Sequence, residues 1–109
     1  MKNYLGEFEE LVLLTIALLG DDAYGVSIQR EIEARCKRGI SIGALHATIT
    51  RLEEKGFVKS WLGGATKERG GRSKRYYDVT QSGKRAVAQS KGLRDELWSL
   101  SKINLSVIK

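Results

Sequence analysis

The stretch from residue 41 to residue 56 combines an apolar stripe with an opposite face that is almost bare of large side chains. The apolar residues lie three or four positions apart, as on a helix that packs one face into a core. They are Ile42, Leu45, Ile49 and Leu52. Ser41 is suited to cap the start of this helix, and Gly56 is suited to close its end. The sequence therefore predicts an amphipathic helix over this stretch.

The second face of this helix carries small and short polar residues where a solvated helix usually carries long charged ones. Its members are Gly43, Ala44, His46, Ala47, Thr50 and Arg51. Small side chains allow a helix backbone to approach another surface closely, and a DNA major groove is wide enough to admit a helix. Small residues are also typical of helix–helix contacts, so this face alone leaves a DNA contact and a buried second face equally open.

Two further helices are predicted upstream. Residues 5–19 are apolar over most of a helical circumference, which indicates a central core element. Residues 24–37 repeat apolar side chains every four positions, and Cys36 is expected to be a small core residue of this second helix. Only a few residues separate it from the small-faced helix, which gives a helix-turn-helix pattern.

After Gly56 the pattern changes from a helical period to alternation, which predicts strands at 57–62 and 74–80. The segment 63–73 between them contains four glycines and is positively charged. Its basic residues are Lys67, Arg69 and Arg72, and Lys74 begins the second strand. Such a hairpin tip can follow a phosphate backbone or enter a minor groove, although a solvated loop is the plainer interpretation. Its position directly after the small-faced helix favours a DNA contact.

The last predicted helix begins after Thr80, which is suited to cap it, and carries a heptad-like seam over about three repeats. Most of the apolar bulk of the seam comes from Leu93, Leu97, Trp98 and Leu100. No later helix covers this seam, so we expect pairing with a second copy of the chain. Packing against the first helix is the alternative, and different sides of the helix can serve both contacts. We expect a DNA-binding domain over 1–80 and a dimerisation helix over 81–109.

Composition narrows the classes of function. The chain has 109 residues and a net charge of +6, most of it after residue 60, which favours a polyanionic partner. No run approaches the roughly 20 apolar residues of a membrane helix. One cysteine fits a reducing compartment, so a cytoplasmic location is expected. One histidine, one cysteine and no paired carboxylates around a plausible cleft leave no catalytic triad or metal site, so we expect neither an enzyme nor a cofactor.

Five segments together resemble the PadR family of transcriptional regulators. They are LGEFEELVLL at 5–14, AYGV at 23–26, SIGAL at 41–45, RLEEKG at 51–56 and RGGRSKRYY at 69–77. The resemblance covers about residues 5–98. The chain is similar to the short subfamily, in which a single C-terminal helix replaces a longer dimerisation domain.

The resemblance implies a mainly α fold with a small β-hairpin, that is, a winged helix-turn-helix followed by a long C-terminal helix. It further implies a homodimeric repressor that binds double-stranded DNA and often responds to a small phenolic or hydrophobic effector. Residues 41–55 match the recognition helix of the family and 63–73 match its wing. Tyr24 matches a residue that can approach phosphate. Members usually have tyrosine where this chain has His46, so operator choice or phosphate contact is expected to differ here.

Two alternatives stay open. A winged domain can also dimerise and mediate protein interactions without reading DNA, but the basic hairpin speaks against this class. Trp98 lies beside the predicted seam, where a pair of such residues could line a cavity between subunits for a flat hydrophobic compound. The simpler interpretation is that Trp98 only packs in the interface, because aromatic residues are enriched there.

Overall fold

The computed structural model describes residues 5–63 and 74–103, and its elements follow the predicted order. The elements are helix α1 at Glu7–Leu19, a 3-10 turn at Gly20–Asp22, helix α2 at Gly25–Cys36, helix α3 at Ile42–Glu54, strand β1 at Val58–Leu62, strand β2 at Arg75–Val79 and helix α4 at Gln81–Ser101. The two strands pair antiparallel, with Trp61 opposite Tyr76. The chain is a winged helix-turn-helix with a long C-terminal helix, as the sequence predicts.

The core lies where the three N-terminal helices meet the inner face of the hairpin. The largest fully buried side chains include Leu13, Ile16, Ile28, Ile32, Leu45, Ile49, Leu52 and Phe57. Tyr77 and Val79 add the inner face of β2, whereas Asp78 between them is exposed. Each buried aliphatic side chain contributes about 1.5–3 kcal/mol by leaving water, so these contacts dominate the stability of the fold.

Hydroxyl side chains cap the N-terminal ends of helices α3 and α4. The Ser41 hydroxyl oxygen accepts the backbone N–H of Ala44 at 3.0 Å at the start of α3. The Thr80 hydroxyl oxygen accepts the N–H of Gly83 at 3.0 Å at the start of α4. Both predicted caps are therefore confirmed. Gly56 follows α3 with a φ of 80°, a left-handed conformation that glycine adopts without a steric penalty.

Two residues predicted to be buried are exposed instead. Ile42 is 41% exposed, because it is the first residue of α3 and lies beyond the edge of the core, near the start of α2. Cys36 is exposed because it is the last residue of α2. It lies on an open groove between α1 and α4 rather than beneath α1. In both cases the residue continues the apolar period of its helix, but it lies at the end of the helix, beyond the elements that cover the other apolar residues.

Helix α4 packs on the rest of the chain only near its start. Gly83 is buried there, and a Cβ at this position would lie 2.3 Å from the carbonyl oxygen of Phe57, so only glycine permits this approach. Ala86 and Val87 pack against the core, whereas every residue from 91 to 103 is exposed. An ion pair between Arg94 and Glu10 links the exposed part to α1. The seam itself therefore does not pack back on the first helix.

A buried carboxylate joins α1 to the end of α3. Glu9, whose side chain is only 9% exposed, accepts the N–H of Gly6 at 2.9 Å and the Lys55 ammonium at 2.9 and 3.1 Å. The Nε atom of Arg51 lies 3.6 Å from the same carboxylate. Burial acts to raise the pKa of Glu9, but the hydrogen bonds from Gly6 and Lys55 and the two positive charges outweigh it, and the net shift is downward. The ionised carboxylate thus stabilises the fold.

Replacing Glu9 with glutamine should lower the free energy of unfolding at pH 7 by roughly 1–2 kcal/mol, because Lys55 and Arg51 lose their counter-charge but stay partly solvated. The folded pKa lies below the ordinary value of 4.5, so the carboxylate contributes fully above that pH and loses its contribution as pH falls through the folded pKa. Urea unfolding of wild type and Glu9→Gln should therefore converge in acid.

The matched control is Glu7→Gln, which removes an exposed carboxylate from the same helical turn. This variant should change the free energy of unfolding by less than about 0.5 kcal/mol. Equal effects of the two substitutions, or a Glu9→Gln difference that persists to acid pH, would contradict the role assigned to Glu9.

Candidate nucleic-acid interface

The small-residue face of α3 lies on the outside of the chain. Its exposed residues are Gly43, Ala44, His46, Ala47, Thr50 and Arg51. The opposite stripe is buried beyond Ile42, at Leu45, Thr48, Ile49 and Leu52. The alternative of a second buried face within the same chain is therefore wrong. A Cβ on Gly43 would meet no atom within 4 Å, so the first turn offers an open surface to a partner.

Side-chain hydrogen bonds fix the turn that leads into α3. The amide nitrogen of Gln29 donates to the carbonyl of Ile40 at 2.8 Å, and the N–H of Ile40 donates to the Glu33 carboxylate at 2.9 Å. Lys37 ends α2 in a left-handed conformation, with a φ of 59°. These bonds hold α3 at a set angle to α2. Gln29 and Glu33 do not stand out in the sequence, because a helical period does not mark polar residues that reach across a turn.

Helices α2 and α3 approach each other closely at Gly25. A Cβ built on Gly25 would lie 3.4 Å from Nε2 of His46 and 3.8 Å from Cδ1 of Ile42, both of which are ordinary van der Waals contacts. The imidazole of His46 therefore lies over the start of α2. This contact makes the outer face of α3 continuous with the first residues of α2, including Tyr24.

Tyr24 connects the start of α2 to strand β2 of the hairpin. It forms an isolated β-bridge with Tyr76, and the neighbouring N–H of Tyr77 donates to the carbonyl of Ala23 at 2.9 Å. The Nζ atom of Lys74 lies 4.1 Å from the centroid of the Tyr24 ring, a cation–π contact. The structure therefore brings together two predicted interface residues, Tyr24 and Lys74, that lie 50 positions apart in the sequence.

An aromatic cluster supports this contact. The ring of Tyr76 meets the Tyr24 ring edge to face at 5.7 Å and 64°, and stacks on Trp61 at 6.1 Å and 21°. Neither Trp61 nor Tyr76 is among the interface residues predicted from the sequence. The available signal was the alternation in β2, which places Tyr76 and the buried Tyr77 on opposite faces.

The other face of the hairpin is joined to the end of α3 by a polar chain. The hydroxyl of Ser60 donates to the Glu53 carboxylate at 2.8 Å and accepts a hydrogen bond from the Arg75 guanidinium at 2.8 Å. Strands β1 and β2 together with Gly63 and Lys74 form the wing base. Each of its faces is thus attached to a different helix of the helix-turn-helix unit.

Arg51 differs from the other predicted interface residues in that its charge is partly balanced within the chain. Its Nη2 atom donates to the hydroxyl of Thr48 at 3.1 Å, and its Nε atom lies 3.6 Å from the Glu9 carboxylate. The side chain is nonetheless 55% exposed, so it lies at the edge of the interface. The three basic residues of the wing tip, Lys67, Arg69 and Arg72, lie outside the described residues.

The seam residues of α4 are exposed, from 49% for Trp98 to 68% for Leu100, with Leu93 and Leu97 between these values. An open groove of about 690 Å³ lies between α1 and α4, and Trp98 is not among its lining residues. Within the described ranges 5–63 and 74–103, no group of three His, Cys, Asp or Glu residues could hold a metal ion. No helix in those ranges is long and apolar enough to cross a membrane.

Comparison with known proteins agrees with this architecture. The profile of the "Transcriptional regulator PadR-like family" matches residues 13–89. No curated protein matches the sequence. A PadR-like transcription factor from Bacteroides fragilis has a similar solved structure, with a TM-score of 0.74 and 19% identity over 86% of this chain and 85% of that one.

Two other solved structures are similar. A transcriptional regulator from Clostridium thermocellum gives a TM-score of 0.62 at 26% identity, with 87% of this chain and 84% of that chain covered. A PadR family transcription regulator from a hypervirulent Clostridium difficile gives a TM-score of 0.65 at 21% identity, with 94% and 99% covered. Each of these three likenesses covers at least 84% of both chains.

Proposed function

Because the chain belongs to the PadR-like family of transcriptional regulators, we propose that it recognises its DNA through the exposed small-residue face of α3. The family consists of transcription regulators rather than enzymes, so the chain is a DNA-binding regulator. In this proposal residues 41–55 enter the major groove, and the wing at 63–73 contacts the phosphate backbone or the minor groove.

The observation that carries this proposal is the continuity of the exposed α3 face with Tyr24 and Lys74. His46 covers the start of α2 beside Tyr24, and Lys74 lies over the Tyr24 ring. A helix in the major groove places its N-terminal half against base edges while the flanking elements reach phosphates. Small residues at Gly43, Ala44 and Ala47 permit the close approach, and the wing base supplies positive charge next to it.

We further propose that two copies pair through α4 and act as a repressor. The seam presents Leu93, Leu97 and Leu100 to solvent in a single chain, and a second α4 would bury them. A two-fold pair would offer two α3 helices to successive major grooves about 34 Å apart, which doubles the contact with one operator. A regulator seated across an operator in this way excludes other proteins from the same DNA, which supports repression.

A small hydrophobic effector is proposed to act at Trp98. The indole is about half exposed and lies on the same exposed part of α4 as the seam, so two such rings would approach each other in the proposed dimer. A flat aromatic compound between them would alter the spacing of the subunits and hence of the two reading helices.

Replacing Ala47 with glutamate should weaken binding to a duplex selected by the wild-type protein from random-sequence DNA by at least about tenfold. The new side chain adds bulk and negative charge where the groove must come close. Fluorescence anisotropy of the labelled duplex measures the affinity. The control is Ala88→Glu, the same change at an exposed position of α4.

The control variant should bind within about twofold of wild type, and both variants should keep their thermal stability, because surface changes rarely exceed about 0.5 kcal/mol. Equal losses in both would show that only net charge matters. Unchanged binding by Ala47→Glu would place the DNA contact on another surface of the chain, and failure of the wild-type protein to select any duplex would favour the alternative of a protein-interaction module.

Replacing Leu97 with aspartate should convert the dimer to a monomer, because the change places a charge in the proposed apolar seam. Light scattering after size-exclusion chromatography gives the mass. Ser99→Asp adds the same charge to α4 two positions away, off the seam, and should leave the dimer intact. A dimer that survives Leu97→Asp would place the interface elsewhere.

The effector proposal is tested with Trp61→Phe, which leaves Trp98 as the only tryptophan of the chain. Its emission should shift or be quenched by some members of a panel of planar aromatic compounds, and the same compounds should change DNA affinity. Trp98→Phe, which keeps Trp61, should show no such response. Constant Trp98 emission across the panel would contradict the effector site and indicate that Trp98 only packs in the interface.

A further inference from the structure

The Tyr76 ring occupies the centre of the contact between the β-hairpin and the start of helix α2. It stacks on Trp61 from the facing strand and meets Tyr24 edge to face, with centroid distances of 6.1 and 5.7 Å. Both distances lie in the range where aromatic pairs attract. Tyr24 in turn carries the Lys74 ammonium over its own ring. The position of Lys74 therefore depends on a chain of ring contacts that passes through Tyr76.

The Tyr76 ring packs directly against the backbone of Gly63. A Cβ at Gly63 would lie 2.5 Å from Cε1 and 2.9 Å from Cδ1 of Tyr76, so any other residue forces the ring to move. The N–H of Gly63 also donates to the carbonyl of Lys74 at 2.6 Å, which closes the hairpin ladder at the same level. The absence of a side chain at Gly63 leaves the space that the ring fills.

The ring is not what holds the hairpin in the fold. Strand β2 is attached to the core by the buried residues Tyr77 and Val79 and by the hydrogen bond from Tyr77 to Ala23. The polar chain through Ser60 attaches the opposite face of the hairpin to α3. Removing the Tyr76 ring should therefore release the Lys74 side chain while the core stays folded.

We propose that Tyr76 is a positioning residue of the DNA interface, which holds Lys74 of the wing base above Tyr24 so that Lys74 and the start of α2 meet one stretch of phosphate backbone together. This inference rests on the proposed DNA-binding function and deepens it. A lysine side chain is long and freely rotating, so an ammonium already held in place loses less conformational freedom when it meets a phosphate. Tyr76 acts through Lys74 and does not itself contact DNA.

The test is a double-mutant cycle on DNA affinity, measured for the selected duplex as a function of salt. In the wild-type background, Lys74→Ala should weaken binding about three- to tenfold and reduce the salt slope by about one. In the Tyr76→Val background, which keeps a β-branched residue in the strand, the same change should cost less than about twofold. The control is Lys59→Ala, an exposed lysine of β1, which should have the same effect in both backgrounds.

Two further variants separate ring position from ring chemistry. Gly63→Ala keeps every aromatic residue but displaces the Tyr76 ring, so it should reproduce the loss caused by Tyr76→Val. Tyr76→Phe keeps the ring without its hydroxyl and should bind within about twofold of wild type. Circular dichroism and thermal unfolding of each variant should confirm a folded chain, since the core contacts are untouched.

The proposal is overturned if Lys74→Ala costs the same factor with and without the Tyr76 ring, because the two residues would then act independently. It is also overturned if Tyr76→Phe is as defective as Tyr76→Val, which would assign the role to the hydroxyl. A wild-type protein whose DNA binding does not weaken with salt would overturn the proposed function itself, and the positioning role with it.

Discussion

The burial of one stripe of α3 against α1 and α2 determines how the rest of the chain is arranged. Leu45, Ile49 and Leu52 are fully buried, so α3 cannot rotate about its own axis without exposing them. The small-residue face is therefore held outward at a fixed angle. The carboxylate of Glu9 adds a second constraint, because it ties the C-terminal end of α3 to the first turn of α1. Packing sets the rotation of the helix, and this ion pair anchors its end.

The hairpin extends this constraint to the edge of the interface. One of its faces reaches α2 through Tyr76 and Tyr24, and the other reaches the end of α3 through Ser60 and Glu53. A two-stranded sheet is marginal in isolation, so the buried residues Tyr77 and Val79 keep it in the fold, and these attachments fix the orientation of its base. Helix α3 and the wing base thus form one connected surface. Most of α4 extends away from this surface, and the apolar seam of α4 is exposed.

The sequence predicts the order and type of every described element, because period and caps are local properties. It fails where the outcome depends on how far an element extends beyond its neighbours. Ile42 and Cys36 continue their apolar periods but lie at helix ends, where no other element covers them. Contacts between distant residues, such as Lys55 with Glu9 or Tyr76 with Tyr24, could not be predicted from the local sequence either. Each of these residue types is common in a helix or strand whether or not it makes such a contact.

Chemical-shift mapping of backbone amides during a titration with the selected duplex measures most directly which surface of the chain meets DNA. The proposed interface predicts that the largest shifts fall on Gly43, Ala47 and Thr50 of α3 and on Lys74 at the wing base, with the exposed end of α4 almost unchanged. Shifts concentrated on the seam of α4, with the outer face of α3 unaffected, would contradict it.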